Sequence, residues 1–326
     1  MIRCVKPILK ILWFAVFLAL PGCAGVLDLD DAYALVPYRI DDAGRIVVEA
    51  HVDGHGPYDF VLDTAATISS VFDNVRDELE LESVPGQSVT VHGVVASGKY
   101  PLLDIERLEL GSEIWADPRI VSLPGKTAAS ASIDGVLGVD FLRRYAVGFS
   151  AGERVVRLYP PTLVARRLYR GWASVPLRAE PIGDSRASVY FIDVSIDGWG
   201  VTAVFDVGAG FNMINWPGAR SLGTTARALR KNAVLSDALG SSRVVARLEA
   251  RVVTTANIRW RNEVFLVADA EIFETLLLRY SPAAILGAGL FTQRDFVIDF
   301  IRNRLLVKVA MDEVNVPIGK GASPEN

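Results

Sequence analysis

Apolar and polar residues alternate along two stretches of the chain with the period of a β-strand. In residues 46–52 and 190–196, every second position carries an aliphatic or aromatic side chain, a pattern that predicts one strand in each stretch. Each stretch is followed by an Asp-Gly pair, Asp53-Gly54 or Asp197-Gly198, which favours a two-residue hairpin turn. Short strands with frequent turn residues dominate the rest, so the sequence predicts an all-β protein with barrel-like lobes.

Helical patterns are few and short. We predict helices over residues 74–81 and 270–279, and a third from Phe141 to Tyr145 with Asp140 as its N-terminal cap. Glycine-containing segments at residues 91–98 and 236–242 predict hairpins that serve either as flaps over a site or as plain surface turns.

One motif occurs twice in the same order. Residues 60–66 (Phe-Val-Leu-Asp-Thr-Ala-Ala) and 203–209 (Ala-Val-Phe-Asp-Val-Gly-Ala) are each an apolar run that ends in an aspartate and small residues. Each is followed by an apolar run that ends in glycine, at residues 135–138 and 284–287. Asp63 and Asp206 are 143 residues apart, and Gly138 and Gly287 are 149 apart. These nearly constant offsets indicate a two-copy duplication, whereas a solenoid array needs three or more short units.

The duplication and the turn residues divide the chain into six segments. A Pro-Pro pair at residues 160–161 begins the connection between the copies, because proline breaks strands and helices. The predicted segments are a signal peptide (1–22), a tether (23–36), lobe 1 (37–159), a linker (160–173), lobe 2 (174–309) and a flexible tail (310–326).

The first 22 residues are typical of an export signal. Three basic residues, Arg3, Lys6 and Lys10, precede an apolar stretch at residues 11–20 that is too short to cross a bilayer. The stretch ends in Leu-Pro-Gly-Cys, which resembles a bacterial lipobox, so Cys23 is the expected lipidation site. An ordinary secretory signal with an incidental cysteine is the alternative. We expect an exported lipoprotein, anchored in the outer membrane and facing the periplasm.

Composition excludes several classes of function. The chain is 51% hydrophobic with a formal charge of −4 and no cluster of basic residues, which argues against disorder and against nucleic-acid binding. Its two cysteines are Cys4, inside the signal, and Cys23, so a lipidated protein has no cysteine left for a disulfide or a thiolate zinc site. The three histidines, at positions 51, 55 and 92, lack metal-site spacing, and no metal or other cofactor is expected.

The duplicated motif resembles that of the retropepsin-like aspartic peptidases, in the bacterial form with two such domains in tandem. The family pattern, two apolar residues, Asp-Thr/Ser-Gly-Ala/Ser and a later apolar-apolar-Gly, is matched at residues 61–66 with 136–138, and again at 204–209 with 285–287. The resemblance implies two pepsin-like β-barrel lobes related by a pseudo-twofold axis, with Asp63 and Asp206 as the catalytic pair. It also implies an extended peptide or protein substrate in a cleft between the lobes, and a monomer that contains both half-sites.

Physical chemistry explains why such a pair works. Two carboxylates roughly 3 Å apart repel each other by on the order of 5 kcal/mol at an effective dielectric of about 20, so the pair holds one proton over a mildly acidic range. The ionised member can then take a proton from water while the protonated member donates to the peptide carbonyl. Small residues at Ala65 and Gly208 let backbone amides approach the carboxylates. Ser69 and Asn212, both six residues beyond an aspartate, are candidate supporting donors.

Two departures from the family pattern leave other functions open. Ala65 stands where the family has glycine, and Val207 stands where it has Thr or Ser. The resemblance implies that Thr64 and its counterpart lock the two loops by crossed hydrogen bonds, and valine has no hydroxyl to contribute. A weakened or inactive protein that binds peptide or another ligand is therefore the alternative function. Two further alternatives are that each aspartate only caps its own turn, and that the lobes face apart and pair with other chains.

Overall fold

The alternating stretches form strands, as their patterns predict. In Ile46–Val52 the side chains of Ile46, Val48, Ala50 and Val52 are buried while that of Glu49 is exposed. The computed structural model describes residues 32–125, 132–161, 169, 171–182, 188–229, 231–236, 239 and 242–309. The predicted signal peptide, Cys23 and the tail at 310–326 lie outside the described residues, as do residues 237–238 and 240–241 of the second predicted flap.

Lobe 1 contains twelve strands and two short helices among its described residues. The elements in chain order are β1 (Ala34–Ile40), β2 (Ile46–Val52), β3 (His55–Leu62), β4 (Ser70–Phe72), α1 (Asp73–Glu78), β5 (Ser83–His92), β6 (Ser97–Asp104), β7 (Arg107–Leu110), β8 (Glu113–Ala116), β9 (Arg119–Leu123), β10 (Gly135–Leu137), α2 (Val139–Leu142), β11 (Ala146–Ser150) and β12 (Val155–Tyr159).

Lobe 2 repeats much of this order, with eleven strands and two short α-helices among its described residues. The elements are β13 (Ala173–Pro176), β14 (Arg178–Pro181), β15 (Ser188–Ile196), β16 (Trp199–Phe205), β17 (Asn212–Ile214), α3 (Trp216–Ser221), β18 (Lys231–Ser236), β19 (Ser242–Thr255), β20 (Ile258–Val267), α4 (Glu271–Thr275), β21 (Ala283–Leu286), a 3₁₀ turn (Ala288–Leu290), β22 (Phe296–Asp299) and β23 (Arg304–Val307).

The strands form two sheets, and the longer one joins the lobes. Its order is β13-β23-β22-β11-β12-β1-β2-β3-β10-β4-β9-β6-β5, with β7 paired to β2 and to β8. The second sheet, within lobe 2, runs β14-β15-β16-β21-β17-β20-β19-β18. The predominance of strands and the repeated lobes confirm the predicted all-β, two-lobe, pepsin-like fold. No helix among the described residues combines the length and apolar character needed to cross a membrane.

Both predicted hairpin turns are present at equivalent places in the two lobes. Val52 pairs with His55 across Asp53-Gly54, and Ile196 pairs with Trp199 across Asp197-Gly198. In both turns the two central residues have positive φ, with values of 51° and 79° in the first and 47° and 92° in the second. This conformation matches the twist of the flanking strands, which is why an Asp-Gly pair is favoured there.

Several boundaries differ from those predicted. β1 begins at Ala34, inside the predicted tether, because the buried residues Ala34 and Val36 extend the alternation and pair with β12. The predicted helix 74–81 is α1, which ends at Glu78 before Glu80 takes a φ of 52°. The predicted helix 270–279 is α4, which ends at Thr275 before Leu277 takes a φ of 58°.

The prediction that Asp140 caps a helix was wrong, and one helix was missed. Gly138 is the N-cap residue of α2, and Asp140 lies in its first turn, where its carboxylate binds Ser69 instead. The missed helix is α3, whose N-cap Asn215 accepts a hydrogen bond from the amide of Gly218 at 2.8 Å. Asparagine followed by proline within the first turn is an ordinary start signal, so this helix could have been found.

Candidate active site

Each lobe presents an aspartate at the end of a buried strand. β3 ends at Leu62 and β16 ends at Phe205, and the next residue in each case is the predicted aspartate. The apolar-apolar-Gly segments form β10 and β21, which pair in parallel with β3 and β16. The amide of Asp63 donates to Leu137 O and that of Asp206 to Leu286 O, both at 3.0 Å. The depth of both aspartates is therefore fixed by the same local construction.

The residues after each aspartate hold its carboxylate with backbone amides. We call residues 63–66 and 206–209 the aspartate loops. Asp63 Oδ1 accepts from the amides of Ala65 and Ala66, each at 2.8 Å. Asp206 Oδ1 accepts from Gly208 at 2.9 Å and from Ala209 at 3.1 Å. The methyl group of Ala65 has therefore not displaced its amide. Each aspartate does cap its own turn, and this capping is compatible with a further role.

The structure brings the two carboxyl groups together. They lie within hydrogen-bonding reach of each other. Asp63 also approaches the opposite loop so closely that a Cβ at Gly208 would lie 2.5 Å from Asp63 Oδ2. Only glycine fits at this position without moving one loop away from the other.

The side chain of Thr64 bridges the two loops. Its hydroxyl donates to Phe205 O at 2.8 Å and accepts from the amide of Val207 at 3.0 Å. Thr64 is fully buried, so both bonds are shielded from water. Val207 occupies the equivalent position in lobe 2 and is equally buried, but it has no hydroxyl to return these bonds. The loops are therefore locked from one side.

Burial dominates the electrostatics of the pair. It raises the pKa of Asp206 well above its ordinary value of 3.8, and the charge of Asp63 raises this pKa further. Burial also leaves the pKa of Asp63 raised above 3.8, although the amides of Ala66 and Ala65, the hydrogen bond with Asp206 and the charge of Arg45 act to lower it. Asp206 is only 6% exposed, whereas Asp63 is half-buried. The two acids thus sit in unlike surroundings.

In the part of the chain that the structure describes, Ser69 and Asn212 donate to neither Asp63 nor Asp206. Each accepts a hydrogen bond from the glycine that follows β10 or β21: Ser69 Oγ from Gly138 at 2.9 Å, and Asn212 Oδ1 from Gly287 at 3.0 Å. A Cβ at Gly138 would lie 2.6 Å from Ala66 O, so the glycine permits the close approach of strand and loop. These two polar residues brace the loops through the neighbouring strand.

Two further residues at the site were not recognised from the sequence. Asp140 holds Ser69, accepting from its amide at 2.9 Å and from its hydroxyl at 2.7 Å. Arg45, in the turn between β1 and β2, has a guanidinium whose charge acts on Asp63. Both contacts join residues that are far apart in the chain, and no local pattern marks them.

The first predicted flap is a hairpin, formed by β5 and β6. The tip closes with a bond from the amide of Gly93 to Ala96 O at 2.8 Å. The tip reaches lobe 2, where Val94 O accepts from the amide of Glu271 at 3.1 Å. A cavity of about 460 Å³ lies beside this contact. Its lining includes His92, Arg243 and Glu271, but neither Asp63 nor Asp206.

Residues 48–141 match the aspartyl protease family model. The match runs from β2 to α2, so it contains Asp63, Thr64 and Gly138 and lies within lobe 1. It confirms the likeness to retropepsin-like aspartic peptidases over these residues and supports a hydrolase of the aspartic protease type in general. No curated protein was found to match the chain.

Proposed function

We propose that this protein is an aspartic endopeptidase that uses Asp63 and Asp206 together to activate water. The observation that carries the proposal is the meeting of two carboxyl groups from equivalent loops. Each carboxyl group is held by two amides, and Thr64 bonds one loop to the other. The family match at residues 48–141 supports the reaction class. Lobe 2 repeats the construction, so both half-sites of such an enzyme come from one chain.

The reaction follows from one shared proton. The ionised carboxylate takes a proton from water, and the water oxygen bonds to the carbonyl carbon of the peptide. The protonated carboxyl gives its proton to the carbonyl oxygen, which yields a neutral tetrahedral diol. In the second step the carbon–nitrogen bond breaks, the leaving nitrogen takes the first proton, and a diol hydroxyl returns the other proton to the pair. Both carboxyl groups end in their starting states.

The substrate in this proposal is an extended peptide in a cleft between the lobes. β5 is the terminal strand in the order of the longer sheet, and strand addition to an edge is a common way to hold extended peptide. The β5–β6 hairpin would cover the bound peptide, since its tip already reaches lobe 2. Neither a metal nor an organic cofactor enters this mechanism.

We also propose that the enzyme is exported and anchored through Cys23. This rests on the basic start, the short apolar stretch and the lipobox-like end of residues 1–23. Replacing Cys23 with Ala should release the protein from the membrane fraction. If both forms fractionate with the membrane, the anchor lies elsewhere.

The test of the peptidase is cleavage of an unstructured polypeptide by the purified full chain in detergent. We expect cleavage with a bell-shaped dependence on pH in the acidic range, because the pair must hold one proton. Asp63→Asn and Asp206→Asn should each lower the rate by at least about 100-fold. Asp59→Asn is the matched control, since Asp59 lies on β3, four residues before Asp63, and pairs with the exposed Arg39.

The second candidate is a peptide- or ligand-binding protein without turnover. Val207 favours it, because the loops are locked by one hydroxyl where the resemblance implies two. A folded wild-type protein that binds the polypeptide but cleaves none of it at any pH would support the binder and contradict the peptidase.

A further inference from the structure

The turn between β1 and β2 holds a part-buried ion pair next to the site. Asp41 Oδ1 accepts from the amides of Ala43 at 3.1 Å and Arg45 at 2.8 Å. Asp41 Oδ2 accepts from Arg45 Nε at 2.8 Å and lies 2.6 Å from Arg45 Nη2. The side chains are 17% exposed for Arg45 and 5% for Asp41. A two-pronged contact of this kind fixes the direction of the guanidinium as well as its distance.

The same turn packs against the loop of the opposite aspartate. Gly44 has a φ of +84°, and a Cβ there would lie 2.9 Å from Gly210 O. Any Cβ on Gly210 would overlap the carbonyl oxygen of Ala43. Two glycines thus let the backbones of lobe 1 and lobe 2 touch, four residues beyond Asp206. This contact holds the turn, and Arg45 with it, in a fixed position relative to both aspartates.

The cation lies on the Asp63 side of the aspartate pair. β2 and β3 are antiparallel and Val47 pairs with Val61, so their register, continued by two residues, places Arg45 opposite Asp63. The charged groups that act on Asp63 are Arg45 and Asp206, and Arg45 is itself paired with Asp41. The charge with the largest effect on Asp206 is that of Asp63. At the 144-residue offset of the two hairpin turns, the counterpart of Arg45 is Val189, a buried aliphatic residue of β15. The pseudo-twofold symmetry of the carboxyl groups is therefore broken by one guanidinium.

We propose that Arg45, oriented by Asp41, is a positioning residue that keeps Asp63 ionised and leaves the shared proton on Asp206. A cation close to one carboxylate favours its charged form, and the neighbouring acid then retains the proton. The surroundings of Asp206, which is almost fully buried, favour the neutral form in the same sense. Which aspartate carries the shared proton can be measured whether or not the protein cleaves peptides.

The consequence for catalysis rests on the proposed function. Asp63 is then the base that takes a proton from water, and Asp206 is the acid that donates its proton to the peptide carbonyl oxygen. When the carbon–nitrogen bond breaks, Asp63 returns its proton to the leaving nitrogen and Asp206 recovers one from the diol. The two acids have fixed roles in each cycle.

The test is NMR titration of isotope-labelled aspartate Cγ atoms in the full chain in detergent, from about pH 3 to about pH 8. Asp→Asn variants at positions 63 and 206 identify the two resonances. In the wild type we expect Asp63 to titrate in the lower step of the pair. Arg45→Gln should shift that step to higher pH, and Arg45→Lys should retain most of the wild-type behaviour. Arg39→Gln is the matched control, because Arg39 lies in the same hairpin but pairs with Asp59 at the surface.

A second variant distinguishes an effect of the Arg45 charge from an effect of the turn's structure. Asp41→Asn leaves the cation and removes its partner, so the lower step should stay in place or move to lower pH, opposite to Arg45→Gln. If the turn only supports the fold, both variants should move the step in the same direction, which would overturn the proposal. No shift in Arg45→Gln would also overturn it. Because the resonances report protonation directly, a protein without peptidase activity can still confirm or contradict the assignment.

Discussion

The hydroxyl of Thr64 makes two hydrogen bonds from the first aspartate loop to the backbone of lobe 2. It is fully buried and touches two backbone groups of lobe 2, Phe205 O and the amide of Val207. Val207 stands 143 residues further on, at the offset of the aspartates themselves, and is also fully buried. Among the residues that the structure describes, the amide of Thr64 donates to no protein acceptor. Thr64 therefore bonds to lobe 2 through its hydroxyl, whereas Val207 has no hydroxyl with which to make the equivalent bonds to lobe 1.

Val207→Thr should supply the missing half of this lock. Threonine has nearly the volume of valine, and its hydroxyl would lie where symmetry places a bond with the amide of Thr64. We expect the free energy of unfolding, measured by urea denaturation, to rise by about 1 kcal/mol.

The control for this variant is Val204→Thr, at another buried position of the same lobe. In the apolar cluster around Val204 a hydroxyl has no equivalent partner, so we expect a loss of about 1–3 kcal/mol. Equal losses in the two variants would mean that the mirror-image bond does not form.

At the scale of elements, the β5–β6 hairpin is fastened to lobe 2 by polar and apolar contacts. Ser97 Oγ donates to the carboxylate of Glu271 and lies 2.9 Å from His92 Nδ1. Val94 and Val95 pack against the apolar cluster of lobe 2. A hairpin held in this way must open before an extended peptide can enter from that side.

Ser97→Ala should loosen the tip of this hairpin without changing global stability. Losing one partly exposed hydrogen bond costs about 0.5–1.5 kcal/mol, which corresponds to an increase of up to about tenfold in local opening. Hydrogen exchange of the amides at residues 93–98 should accelerate accordingly. Ser88→Ala is the control, because Ser88 lies exposed on β5, away from the contact with α4. Equal exchange in both variants would contradict a role for the Ser97–Glu271 bond.

Local signals account for most of what the sequence could predict. The Asp-Gly turns, the aspartate loops and the hairpin at residues 91–98 are each encoded within a few residues, and each is present. The contacts that hold the site are not local. Ser97 and Glu271 are 174 residues apart, and Asp140 is 71 residues from Ser69. Asp140 was predicted to cap a helix because its neighbours fit that pattern, and only the folded chain brings Ser69 to it.

At the scale of the whole molecule, the two lobes share one sheet. β11 of lobe 1 pairs with β22 of lobe 2 from Ala146 opposite Asp299 to Phe149 opposite Phe296. The rings of Phe149 and Phe296 stack at 4.3 Å with an interplanar angle of 12°. Because strands and core are continuous across the lobes, we expect them to unfold together. The cost of ionising the buried aspartate pair should then lower the free energy of unfolding of the whole molecule.

Asp206→Asn should therefore stabilise the protein at neutral pH. The pKa of Asp206 is raised in the folded state, so this carboxyl favours folding below its ordinary pKa of 3.8 and loses that contribution as the pH rises through its folded-state pKa. Asparagine is neutral throughout, and we expect a gain of about 0.5–2 kcal/mol at neutral pH, of the size found when strained functional sites are relieved. Thermal unfolding at a series of pH values measures this gain in stability.

The gain should shrink as the pH falls towards 3.8, and Asp193→Asn, on the exposed face of β15, should show no such trend. A gain that does not depend on pH would show that ionisation of the pair does not strain the fold.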